Sequence, residues 1–225
     1  MITLSQRWKD TYPGASVGIL AMRRVLNPSS HRHLDARKAE LEVELRKRFA
    51  DCSRNGLKDT EPIRAYNAYL KTFKKTYQVQ LQLESVVFKG KPIPRAAALV
   101  EAMFTAELQD LLLTAGHDMD VLQLPVSIDI AKGNERYVGL RGEEQVLKPR
   151  DMIISDKAGI ISSVVYGPDY RTQIKPGTQN VLFTTYAPLG ITHESVYEHL
   201  KHIQANVLLV AEDAEVELIH VYGTM

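Results

Sequence analysis

Five consecutive residues, Gly116-His117-Asp118-Met119-Asp120, set an imidazole beside two carboxyl groups. An imidazole exchanges protons near neutral pH. Ionised carboxyls accept hydrogen bonds from cations, in pairs when the cation is a guanidinium. The group therefore suits proton movement or the capture of a cationic side chain. Upstream, Ala97, Ala98, Val100, Met103, Phe104, Leu108, Leu111 and Leu112 form a broad apolar face, which predicts a helix ending near Gly116. A helix C-terminus carries partial negative charge, so it favours protonated His117 and disfavours Asp118 and Asp120. Those acids need a donor, a cation or a ligand, and the corner is the first candidate site.

Other candidate groups are weaker. His31 and His33 do not share a helical face. His199 and His202 do, but no third ligand lies near them in sequence, and a solvated helix surface is expected there. The single Cys52 excludes a disulfide framework and a cysteine zinc site. No phosphate-binding P-loop, dinucleotide glycine fingerprint, nucleophile elbow or paired-histidine zinc helix occurs. Neither a metal nor another cofactor is expected.

The 225 residues, 44% of them hydrophobic, are enough to bury a large core. With 28 Lys and Arg against 27 Asp and Glu, a polyanion must be met by a local patch and not by a global field. No apolar run approaches the roughly 20 residues that a membrane span needs, and no N-terminal run resembles a signal peptide. A soluble, cytoplasmic protein without membrane contact is expected, and no protein partner is implied.

The elements that must position the corner read as follows. A short strand over 1–4, a brief helix over 5–10 and an apolar strand over 15–25 open the chain. Asn27-Pro28-Ser29-Ser30 is a turn able to cap a helix from His31, and 28–56 reads as a surface helix with a narrow apolar stripe, closed by Arg54-Asn55-Gly56. Thr60 and Pro62 start the next helix. Leu83 to Phe88 belongs to a further one stopped by Gly90, and Pro92 and Pro94 separate it from the apolar helix. Strands are expected at 126–130, 135–140, 152–155, 160–166 and 180–185, with a helix over 193–206 and a last strand over 215–222. Helices first and strands later predict an α+β fold, one domain over 1–225, with a mixed or antiparallel sheet packed on helices.

The order of these pieces resembles a known family. A helix runs into a basic, Pro-interrupted stretch; Leu99-Val100-Glu101 opens the apolar helix; Gly116 to Asp120 follows. Then come Arg141-Gly142-Glu143-Glu144, Lys148-Pro149-Arg150-Asp151-Met152 and Thr178-Gln179-Asn180-Val181-Leu182. This is similar to the editing domain of the bacterial phenylalanyl-tRNA synthetase β subunit, and more so to free-standing proteins built from that domain, over about 60–190. The resemblance implies hydrolysis of a wrong amino acid from the 3′ end of a tRNA. Such an ester is already activated, so placing a water and stabilising an oxyanion suffice.

Carried over by position, the resemblance puts His117, with Asp120 as companion, and Thr184 in the catalytic positions. A threonine of the family's preceding helix falls on Met103 or Thr105, and Ser163 and Tyr166 fall in the pocket wall at 162–167. Where the family reads a tyrosine hydroxyl with a glutamate, this chain has Thr184, which implies another substrate. The acids Glu101, Glu107, Asp118 and Asp120 suit a cationic or guanidinium-like group, so the resemblance points to arginine tRNA mischarged with canavanine. Lys71, Lys74, Lys75 and Arg171 are the expected RNA contacts. A tRNA-binding accessory module without activity is the alternative, and a hydrolase of free amino-acid derivatives is a third reading.

Overall fold

The computed structural model describes residues 2–223. Its first half is mainly helical: α1 (Gln6–Thr11), α2 (Arg32–Arg48), α3 (Arg54–Lys58), α4 (Glu61–Lys71), α5 (Gln78–Lys89) and α6 (Ala98–Asp110) are interrupted only by β1 (Ile2–Leu4) and β2 (Ser16–Arg23). The second half carries β3 (Leu113–Asp118), β4 (Val126–Ile130), β5 (Arg136–Val138), β6 (Glu144–Val146), β7 (Met152–Asp156), β8 (Gly159–Ser163), β9 (Gly167–Pro168) and β10 (Asn180–Ala187). Helix α7 (His193–Leu208) and β11 (Glu215–Gly223) complete it. The expected α+β class is what the chain adopts.

Two larger sheets organise these pieces, beside an antiparallel pair of β5 and β6. One has the order β1-β4-β7-β8-β9 and is mixed, because β1 runs parallel to β4 while its other pairs are antiparallel. The second, β11-β2-β10-β3, is antiparallel throughout. Its inner strands β2 and β10 are buried along almost their whole length, which is why they read as continuous apolar runs and not as alternating ones. Val17, Ile19, Ala21, Leu182 and Tyr186 face the core shared with α4 and α5. Leu20, Met22, Val181 and Phe183 face α6 and α7. Helix α6 lies between layers and is apolar on nearly every side, the pattern of a buried helix.

Several local expectations change. Helix α6 stops at Asp110, and Leu113–Asp118 is a strand. Its stop is tertiary: Leu111 takes φ +62°, the Tyr77 hydroxyl donates to the Leu111 carbonyl at 2.8 Å, and the Leu113 N–H donates to the Tyr66 hydroxyl at 2.9 Å. The two tyrosine rings stack 4.3 Å apart. Arg54-Asn55-Gly56 lies within α3, capped by Ser53, and does not merely close α2. Asn27 caps α6 in place of α2: its Oδ1 accepts from Leu99 N at 2.9 Å while its amide donates to the Lys175 carbonyl at 2.8 Å. On α2, Leu34, Leu41 and Leu45 are buried, and so is Lys38. That helix therefore turns one of its charges inward.

Candidate functional site

A cavity of about 420 Å³ opens along the free outer edge of β3, within the size range of small-molecule sites. Helix α6 contributes Val100, Met103, Phe104 and Glu107 to one wall. The start of α5 with Lys75, and the segment from Ser163 to Pro168, supply others. Leu113, Thr114, Ala115 and Gly116 form its strand side. Most of this surface is apolar, so the few polar groups on it decide what it holds.

The strand edge is one of them. In β3, Thr114 N–H donates to Glu107 Oε1 at 2.7 Å and Asp118 N–H donates to the Thr172 carbonyl at 2.7 Å, both away from β10. Backbone groups alternate along an antiparallel strand, so Gly116, between these two, turns its N–H and C=O the same way, onto the cavity it lines. A side chain there would have to displace the end of Ile174. A Cβ on Gly116 would lie 2.6 Å from Ile174 Cδ1.

Glu107 is the second. It is buried, and its carboxyl is pushed up to about 8 by desolvation, against the opposing pull of the Thr114 N–H. It is mostly protonated at neutral pH and presents a neutral acid inside an apolar chamber. Ser163 is the third: it lines the same cavity, and its hydroxyl accepts from Tyr166 N at 2.9 Å and donates to the Asp151 carboxyl. Tyr166 is half-buried beside this wall, with the Lys75 ammonium 5.0 Å from its ring centroid. Behind the wall, Asp151 is buried and pushed up to about 7 by desolvation, with the Tyr69 hydroxyl donating to it at 2.8 Å.

The other expected site residues lie off the cavity. His117 and Thr184 do not face each other across a gap: β3 and β10 are direct ladder neighbours, with Ala115 opposite Thr184 and Leu182 opposite His117. Thr184 is buried and donates to the Ala115 carbonyl at 3.4 Å. His117 is buried, with Nδ1 2.8 Å from Thr172 Oγ1. The Thr172 hydroxyl donates to Asp169, so His117 Nδ1 carries the proton and Nε2 is left bare in the interior. Burial first, and then Arg171, push this imidazole down to about 3, so it stays neutral. The corner is no helix terminus, and the electrostatic reason for expecting a protonated His117 disappears.

The acids fare alike. Glu101 is buried on the far side of α6, where Oε1 accepts from Ala96 N at 3.0 Å and Oε2 lies 2.7 Å from the Lys38 ammonium. Thr105 donates back to the Glu101 carbonyl at 2.7 Å. Asp118 caps the 3-10 turn Met119–Val121 through Asp120 N and accepts from Thr178 Oγ1 at 2.7 Å. Asp120 is exposed and holds the Asn180 amide at 2.7 Å. Of the acidic set, Glu107 is the member that lines the cavity. Among the expected RNA contacts, Lys71, Lys74 and Lys75 are exposed, while Arg171 is partly occupied by Asp156 at 2.8 Å and Asp169 at 3.7 Å.

One polar group escaped the sequence reading. His199, expected on a solvated surface, is buried: Nδ1 sits 2.7 Å from Asp110 Oδ2 and Nε2 2.8 Å from Thr114 Oγ1, which is 2.9 Å from Thr185 Oγ1. His202 shares the same Asp110 carboxyl at 2.9 Å. This chain anchors β3 from behind, directly under the cavity edge. Its signal was present in sequence, because His199 stands on the apolar stripe of α7 with Val196, Leu200 and Ile203.

Comparison with known proteins agrees with the architecture. The family description "B3/4 domain" matches residues 63–223. A phenylalanine–tRNA ligase β subunit from Mycoplasma genitalium is 33% identical over 67 residues, 30% of this chain and 8% of that protein. An N-terminal fragment of the phenylalanyl-tRNA synthetase β subunit from Pyrococcus horikoshii superposes with a TM-score of 0.50 at 13% identity, covering 96% of this chain and 50% of the fragment. This chain thus spans a small part of the first relative and half of the second. With a match over more than half of its residues, on the strands and helices that build the cavity, the chain belongs to the B3/4 domain family.

Proposed function

We propose that this protein hydrolyses the ester of a mischarged aminoacyl-tRNA. The observation that carries the reading is an amino-acid-sized apolar cavity whose wall is an unpaired strand edge, in a chain whose relatives are named as β subunits of phenylalanyl-tRNA synthetases. In this reading the Gly116 N–H donates to the oxygen that becomes negative when water attacks the ester carbonyl. The water oxygen bonds to that carbon, the ester C–O bond breaks, and the proton ends on the departing ribose oxygen. The neighbouring ribose hydroxyl relays it, which suits a cavity without a charged base. Exclusion of bulk water strengthens each of these hydrogen bonds.

The substrate side chain is read by Glu107. A neutral carboxylic acid in an apolar chamber rejects a fully charged group unless it ionises with it. Canavanine fits this demand. Its oxyguanidine is a weaker base than the guanidine of arginine, because the added oxygen withdraws electrons, so it enters neutral and shares a proton with Glu107. Arginine itself would have to bring a full charge. The cationic-substrate expectation is thereby kept, with one acid where four were counted.

Canavanyl-tRNA and arginyl-tRNA prepared on the same tRNA test the reading, alongside tRNAs bearing other near-cognate amino acids. The expected result is loss of canavanine at least tenfold faster than of arginine. Equal rates for both would remove the substrate assignment. No acceleration over buffer for any mischarged tRNA would remove the deacylase reading and leave a tRNA-binding module.

A further inference from the structure

On the other side of α4 from the catalytic cavity lies a second groove, of about 520 Å³. Its floor is built from Ala65, Ala68, Tyr69 and Phe73, and its rim from Lys148, Pro149, Arg150 and Leu189. Tyr12 leans on Tyr69 at 5.6 Å between ring centroids, and Tyr69 on Phe73 at 5.1 Å. Among the described residues the lining carries two cations and no acid. Leu189, at 70% exposure, leaves a bare apolar surface at the rim.

This groove and the first site take lining residues from one short segment of chain. Leu70 and Lys75 line the catalytic cavity, whereas Tyr69, Thr72 and Phe73 line the groove. Within the crest from Tyr69 to Lys75 some residues line one hollow and some the other, and Lys71, Lys74 and Lys75 are exposed. The crest is fixed: Lys148 Nζ donates to the Phe73 carbonyl at 2.7 Å. With Lys148 committed to that bond, the cations left for a ligand are Arg150 and the three crest lysines.

We propose that the groove docks the single-stranded RNA leading to the 3′ end whose terminal residue occupies the catalytic cavity. This rests on the aminoacyl-tRNA reading of that cavity. A strand leaving the cavity beside Lys75 crosses Lys74 and Lys71, which pair with its phosphates, and lays a base on the apolar and aromatic floor below Arg150. Apolar surface flanked by cations is what an unstacked nucleotide requires, since any base can pack on it and any phosphate can pair. A protein partner of acidic character would use the cations but would not need them beside the opening that takes the esterified 3′ end.

The test uses Arg150→Glu and Lys74→Glu in the full chain, each first shown to melt like the unmodified protein. Two substrates are compared: the amino acid esterified to tRNA, and the same amino acid esterified to adenosine alone, which fills only the catalytic cavity. The expected result is a KM for the tRNA ester raised tenfold or more with kcat retained, a salt dependence lowered by about one unit of log–log slope, and unchanged hydrolysis of the adenosine ester. An unchanged KM and salt slope in both variants overturns the groove. Binding of an uncharged tRNA, followed by fluorescence anisotropy, reports on the groove without any hydrolysis: weaker binding by both variants upholds it even if no ester is cleaved, and equal binding overturns it.

Discussion

Two glutamates on α6, Glu101 and Glu107, are six residues apart, both buried, and have opposite surroundings. Glu101 meets Lys38 at 2.7 Å and the Ala96 N–H at 3.0 Å, so its charge is balanced inside the fold. Glu107 accepts from Thr114 N–H, no described cation pairs with it, and it lines a cavity. Burial then pushes it up to about 8. The first holds α2 against α6. The second is a carboxyl kept neutral until something arrives to ionise it. Acidic identity alone says nothing about function; the presence or absence of a built-in counter-charge does.

The contrast can be broken from either end. Lys38→Met leaves Glu101 as an uncompensated buried charge and is expected to cost about 3 to 5 kcal/mol of stability, measured by urea unfolding. Adding Glu101→Gln should recover most of that loss. A loss below about 1 kcal/mol in the single variant would mean that the pair is incidental.

Glu107→Gln should do the reverse. The amide still accepts from Thr114 N–H, so the melting temperature at pH 6 should hold, while kcat/KM on the preferred ester falls about a hundredfold, roughly 2.7 kcal/mol of transition-state stabilisation. Retained activity in this variant would move the substrate reader elsewhere.

The smallest expected effect is on pH dependence, and it sharpens the same comparison. Glu107 titrates at about 8 in the fold against 4.5 in its ordinary range. Its stabilising share is therefore full below 4.5 and is lost as pH rises through about 8, amounting to about 2 kcal/mol between pH 6 and 8. Asp151, at about 7 against 3.8, acts in the same direction over a lower window. His117 acts in the opposite one: at about 3 against 6.5, its share is full above 6.5 and is lost as pH falls toward 3. Thermal melts from pH 5 to 9 should decline on the alkaline side, and less so in Glu107→Gln. Identical slopes in the two proteins would show that Glu107 is not held protonated.

Much of the architecture was legible in the residues. The apolar run of β2 read as a buried strand because it is covered on both faces, and Gly90 and the two prolines stop α5 and delay α6 through local backbone restrictions. The end of α6 was not legible. Leu111-Leu112-Leu113 continues a helical pattern, and the groups that interrupt it, Tyr66 and Tyr77, come from other helices. Missing that stop put a helix end where β3 runs, with His117 and Asp118 on the same strand but beyond the Leu113–Gly116 stretch that lines the cavity. Ser163, read in the sequence as pocket wall, and Lys75, read there as an RNA contact, both line the cavity.

By itself the sequence determined the α+β class, the order of elements and the resemblance to an editing domain, since periodicity, proline, glycine and segment order are local properties of the chain. The tertiary structure alone decided which of several similar acids and histidines has a partner. Glu101, His199 and Asp118 are each satisfied by a residue at least 60 positions away. Glu107 is left to the cavity because no cation is brought to it, and no pattern along a chain can show a counter-charge that only folding delivers or withholds.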